Sequence, residues 1–216
     1  MNDIVKFVPL FLMLFGCASK QSIEEQRTWL AGDHHIHSEY SVGWEETEPP
    51  KPIIGGDAAY SITRNAEMAR TFGLAWMVAT DHGGPNHSKI NLEMAYPEML
   101  AAREAVPEVM LFAGLELNTP GADHSSIIVP HTEDEAENLY QYESQFDKRD
   151  PWPVDESRED ESLMLDALEY VDEWEEKAVV IAHHPSRSAS GLGEYGLTGP
   201  AELRRWNDTA PEVAVG

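Results

Sequence analysis

Short apolar runs that end on histidine or glutamate constrain this sequence more than any other feature. Residues 29–35, 74–80, 109–117 and 178–182 are each too short for a buried helix and long enough for a strand. They run into Asp33-His34-His35-Ile36-His37, Asp81-His82, Glu116 and His183-His184 respectively. A further apolar run covers residues 126–129, and Val213 to Val215 reads as the start of another. Helical patterns separate them. Ala59, Ile62, Ala66 and Ala69 recur at helical spacing, with Asp57 as the expected N-cap and Gly73 as the stop. Residues 90–104 read as a helix kinked at Pro97, residues 159–176 as an amphipathic helix, and residues 200–206 as a short one. Strands alternating with helices predict an α/β class with a largely parallel sheet, of which a barrel is one closure. In such barrels the C-terminal ends of the strands build the active site.

The charge is uneven. The 216 residues carry a net charge of −24. Residues 133–176 hold 18 acidic and 3 basic side chains, and residues 143–158 within them read as an exposed loop. A solvated acidic face disfavours a long nucleic acid laid across the surface, since phosphates are held by clustered Lys and Arg. It leaves small anionic ligands open, because bound cations reverse the local field.

The nine histidines fall into His34, His35 and His37; His82 and His87; His124 and His131; and His183 and His184. Neutral imidazole is the commonest metal ligand. On an extended segment His35 and His37 point to the same side, so both can grip one cation while His34 faces away. His82 is a ligand candidate, and Asp81 is placed to orient an imidazole. Glu116 needs a partner at a strand end, and a bridging position between two cations supplies one. His124 precedes its strand, so it reaches the site if that strand runs antiparallel to its predecessor. Pro185 restricts His184 to extended geometry. Arg187 is either a phosphate contact or a surface arginine.

The segments DHHIHS, ATDHGG, GLEL, ADHS and AHHPSR, in this order over residues 33–187, resemble the PHP family of polymerase and histidinol phosphatase domains. The resemblance implies a distorted (β/α)7 TIM-like barrel, two or three divalent ions (Zn, Mn or Fe) and phosphoester hydrolysis. It implies metal ligation by His35, His37, His82, Glu116, His124 and His184, with Glu116 bridging, rather than by His183. Catalytic roles then fall to Glu116, His184 and Arg187, with Asp81 and His87 in support; His87 would contact the leaving group or the phosphate. Two departures stand out. Val42 occupies the position where the family has an Asp or His after its first motif. The final Asp-x-His motif has no counterpart before Gly216, so the sequence reads as truncated relative to a complete barrel.

The N-terminus carries an address. Residues 7–17 form an apolar run too short to span a bilayer, ending in Leu14-Phe15-Gly16-Cys17, which resembles a bacterial lipobox. Residues 1–16 are then a signal peptide, Cys17 the lipidated first residue, residues 17–28 a tether and residues 29–216 the hydrolase domain. The expected place is outside the cytoplasm on a lipid anchor, at the outer membrane if the cell is Gram-negative. Two other readings remain. One is an amidohydrolase-like enzyme, which needs a carboxylated Lys on a central strand. The other is a non-catalytic metal-binding surface lipoprotein.

Overall fold

The computed structural model describes residues 28–184 and 198–215. Its strands are β1 (Gly32–Ile36), β2 (Gly43–Trp44), β3 (Pro52–Ile53), β4 (Trp76–Ala79), β5 (Met110–Asn118), β6 (His124–Ile128), β7 (Val179–His183) and β8 (Ala214–Val215). Its helices are α1 (Ile62–Thr71), α2 (His87–Ile90), α3 (Tyr96–Ala105), α4 (Glu135–Phe146), α5 (Glu161–Asp172) and α6 (Pro200–Thr209). A π-helical turn (Asn91–Ala95) joins α2 to α3 and sets Pro97 in the first turn of α3. None of the described helices is long and apolar enough to cross a membrane.

The architecture is mixed α/β. Six strands form one sheet in the order β1-β4-β5-β6-β7-β8, and β2 pairs with β3 in a separate ribbon. The pairs β1–β4, β4–β5 and β7–β8 are parallel. The pairs β5–β6 and β6–β7 are antiparallel, so the sheet is less parallel than the strand–helix alternation predicts. Residues 119–123 between β5 and β6 are too few for the crossover that parallel neighbours require.

The sheet also curls. In a flat sheet, β1 and β7 would lie four strand spacings apart, about 19 Å. The His35 and His183 rings nevertheless meet at 4.3 Å between centroids. Strand alternation divides the two faces. Leu111, Ala113, Leu115 and Leu117 join the helix-backed core, which α1 supplies with Ile62 and Ala66, α4 with Tyr142, and α5 with Met164 and Leu168. Phe112, Gly114, Glu116 and Asn118 therefore face the concave side.

Local differences from the sequence reading have physical causes. The N-cap of α1 is Ser61, whose Oγ accepts the Arg64 N–H at 3.1 Å, because Asp57 is drawn toward the histidines. Residues 143–158 are not a wholly exposed loop: α4 runs to Phe146, and Glu143, Asp147 and Asp150 are buried among hydrogen-bond partners. His184 has φ 50°, in the left-handed region rather than extended, so the following Pro185 has not imposed a β conformation on it. The expected signal peptide, Cys17 and Arg187 lie outside the described residues.

Gly114 packs between strands where a Cβ would meet the Ile127 carbonyl oxygen and Val78 Cγ1, both at 2.6 Å. Backbone cannot yield there without moving β5. Gly114→Ala is expected to destabilise the fold by about 1–3 kcal/mol, read by denaturant unfolding. An unchanged midpoint would contradict this packing.

Candidate metal centre

The curl brings the ends of β1, β4, β5 and β7 and the start of β6 around one carboxylate. Glu116 is almost fully buried, at 2% exposure. Its Oε1 lies 2.9 Å from His124 Nδ1, 3.3 Å from His184 Nε2, 3.7 Å from His35 Nε2 and 3.8 Å from His183 Nδ1. Its Oε2 lies 3.3 Å from His37 Nε2 and 3.9 Å from His82 Nε2. Each oxygen thus faces a different set of imidazoles. Burial alone would favour the neutral acid, but the His124 hydrogen bond and the surrounding imidazoles outweigh it and hold Glu116 well below the ordinary carboxylate range.

Two groups of ligand atoms converge here, each with its atoms within 4.8 Å of one another. One is His35, Glu116, His183 and His184; the other is His37, Asp57 and His82. Neutral imidazoles are what a cation needs. Burial lowers His35 to about 4, against the pull of Glu116, and burial likewise lowers His82. Among the described residues, both buried nitrogens of His183 lack a hydrogen-bond partner. His35 Nε2 and His37 Nε2 face each other at 3.0 Å. Buried nitrogens left without protein partners are unusual unless something else satisfies them. These donors fit divalent ions such as Zn, Mn or Fe.

Hydroxyls set the tautomers. Asp81 is buried and accepts the Ser41 hydroxyl at 2.8 Å, the Ser38 hydroxyl at 2.6 Å and the Ser38 N–H at 2.5 Å. With its proton given to Asp81, Ser41 Oγ accepts from His37 Nδ1 at 2.9 Å. The lone pair of His37 Nε2 is thereby left facing the centre. Asp81 orients an imidazole as the sequence reading has it, but through Ser41 and not by direct contact. His35 Nδ1 is held between Thr80 Oγ1 at 3.1 Å and Ser126 Oγ at 3.3 Å. That leaves its Nε2 toward Glu116.

The structure therefore gathers His35, His37, His82, Glu116, His124 and His184 in one place. His124 reaches Glu116 because β6 runs antiparallel to β5. His87 stands apart. It is fully buried, with Nδ1 2.5 Å from Glu143 Oε1 and Nε2 bonded to the Tyr40 carbonyl at 2.9 Å, so both ring nitrogens are engaged by the protein. Burial works against the imidazolium, yet Glu143 raises His87 to about 9. Its ring packs where a Cβ on Gly83 would stand, 2.3 Å from His87 Cδ2, so it props the backbone next to His82.

Three residues were not legible as site residues. Asp57 Oδ2, from the loop ahead of α1, lies 3.3 Å from His82 Nε2 and 3.6 Å from His37 Nδ1. An aspartate at the end of a Pro- and Gly-rich stretch after the His-x-His motif was its only signal. His183 joins the cluster beside His184, and Ser41 carries the relay.

No family model and no curated protein matches the chain. Among solved structures, a candidate metal-dependent phosphoesterase from Bifidobacterium adolescentis is similar at 13% identity and a TM-score of 0.43, covering 85% of this chain and 76% of that one.

Ser41→Ala removes the hydroxyl that fixes His37 and leaves the ligands in place. It is expected to weaken divalent-ion binding about 10–100-fold, measured by titration calorimetry with Mn²⁺ or Zn²⁺. Unchanged affinity would show that the relay does not orient His37.

Proposed function

We propose that the chain is a metal-dependent phosphoesterase of PHP type that hydrolyses small phosphoesters or short oligonucleotide ends. The observation that carries this reading is the divided environment of Glu116, with each oxygen turned to a different group of ligand atoms. His35, His183 and His184 would hold one divalent ion, His37, Asp57 and His82 a second, and Glu116 would bridge them. When bound, such ions lower the pKa of a coordinated water and offset charge developing on phosphorus-bound oxygens.

The residues do the rest. Glu116 stays ionised and would pair with bound cations without a proton to lose first. His35 and His82 stay neutral near pH 7 and keep their lone pairs available. Ser41 with Asp81 and Thr80 with Ser126 keep those lone pairs aimed. His124 donates to Glu116 Oε1 and fixes the carboxylate plane. Exposed at 42%, the His184 side chain is the clustered imidazole most open to an incoming phosphoester. Arg187 would neutralise phosphate oxygens.

Further parts of the reading are proposals too. The curled sheet belongs to a distorted (β/α)7 barrel, a third ion is optional, and Cys17 carries a lipid anchor that holds the domain outside the cytoplasm. None of the described strands contains a lysine, which favours phosphoester over amidohydrolase chemistry.

The test is hydrolysis of 4-nitrophenyl phosphate and bis(4-nitrophenyl) phosphate by the full chain loaded with Mn²⁺, Zn²⁺ or Fe²⁺. Glu116→Gln and His35→Ala are each expected to lower kcat/KM on the order of a thousandfold, the equivalent of several kcal/mol of lost charge stabilisation. Turnover that is absent in the parent chain, or unaffected by both substitutions, would rule the reading out.

A further inference from the structure

A cleft of about 440 Å³ opens beside His82. Val42, Trp44, Pro85 and Val154 line it with apolar surface, and Gly83 and Gly84 form part of its wall. The indole of Trp44 lies against Gly84, where an added Cβ would stand 2.9 Å from Trp44 Nε1. Lys148 and Arg149 face the same space.

The basic pair is held in place from both sides by buried carboxylates. Asp147 accepts the Asn118 N–H at 2.7 Å, the Arg149 N–H at 2.7 Å and the Asp150 N–H at 3.1 Å. Asp150 accepts the Ser88 N–H at 2.8 Å and the Ser88 hydroxyl at 3.0 Å. The Lys148 N–H bonds to the Asn118 carbonyl at 3.1 Å, and Asn118 Nδ2 reaches the Gly83 carbonyl at 2.9 Å. The backbone that carries the cations is thus tied to the end of β5 and to the residue after His82. Burying three carboxylates (Glu143, Asp147 and Asp150) within one short stretch is costly, and burial raises Asp147 to about 7. Such cost is typical of a segment whose position matters.

Three further carboxylates line the cleft: Asp155, Glu156 and Glu159. Asp155 is turned to the Ser157 N–H at 3.0 Å and its hydroxyl at 2.6 Å. Glu159 is paired with Lys148 Nζ at 3.0 Å. Arg149 has no carboxylate partner among the described residues, and it is an exposed residue lining the cleft. An aromatic wall, apolar flanks and one uncommitted guanidinium suit a flat ring carrying an anion.

We propose that this cleft is the leaving-group subsite, taking a ring against Trp44 and an anionic substituent of that ring at Arg149. It rests on the phosphoesterase reading and narrows it to phosphoesters whose leaving group is an anion-bearing ring. The subsite would select substrate without taking part in the bond-breaking step.

The experiment is equilibrium binding of phenylphosphonate and 4-carboxyphenylphosphonate, neither of which is hydrolysed, to the Mn²⁺-loaded full chain, with metal content measured in the same samples. The parent chain is expected to bind the carboxylated probe about tenfold more tightly. Arg149→Gln, at an exposed position, is expected to erase that preference and leave phenylphosphonate affinity unchanged. Trp44→Leu is expected to weaken both probes about fivefold. Equal affinities in the parent chain, a preference that survives in Arg149→Gln, or an unaltered Trp44→Leu would overturn the subsite. If neither phosphonate binds a chain that holds its metal, the phosphoesterase reading itself falls and takes the subsite with it.

Discussion

A buried carboxylate cannot stay ionised without compensation, and the concave side of this fold is organised around one. Glu116 sits in the middle of the sheet, on the face opposite the leucines of its own strand. Six imidazoles from four other strands and their flanking residues approach its two oxygens. A neutral imidazole supplies at best one hydrogen bond, and only His124 stands at 2.9 Å. The remaining imidazoles are too many to serve one carboxylate. Their nitrogens have the chemistry of ligands, and cations between them and Glu116 would satisfy both.

The sheet makes that gathering possible. Parallel pairing sets the C-terminal ends of β1, β4 and β5 side by side, and the reversal at β6 returns His124 to the same end. Curvature then brings β7 back toward β1. Around this frame, small hydroxyl residues do what the strands cannot. Ser41, Thr80 and Ser126 fix ring orientations, and Asp81 anchors Ser41. The acidic tract that dominates the net charge is not simply a solvated surface. Four of its carboxylates, Glu135, Glu143, Asp147 and Asp150, are buried, and Asp147 ties the Lys148–Arg149 backbone to the end of β5.

Much of this was legible in the chain. The positions of β1, β4, β5 and β7 followed from short apolar runs, and the convergence of His35, His37, His82 and Glu116 followed from where those runs end. What was not legible depends on tertiary contact. Asp57 reads locally as a helix cap, because nothing in a Pro- and Gly-rich loop says where it folds back. The antiparallel β6 depends on a five-residue connection whose geometry the hydrophobic pattern does not encode. His183 and His184 would point to opposite faces in a regular strand; the left-handed conformation of His184 breaks that alternation and lets both join the cluster. His87 carries the same side chain as the ligands, yet a buried Glu143 claims it.

The central claim is that Glu116 lies between two cation sites. Anomalous diffraction from crystals of the full chain grown with Mn²⁺ or Zn²⁺ tests it most directly. The account predicts two peaks about 3.5–4 Å apart, one on the His35–His183–His184 side of Glu116 and one on the His37–Asp57–His82 side. A single peak with Glu116 outside its coordination sphere, or no peak within the cluster at saturating metal, would contradict it.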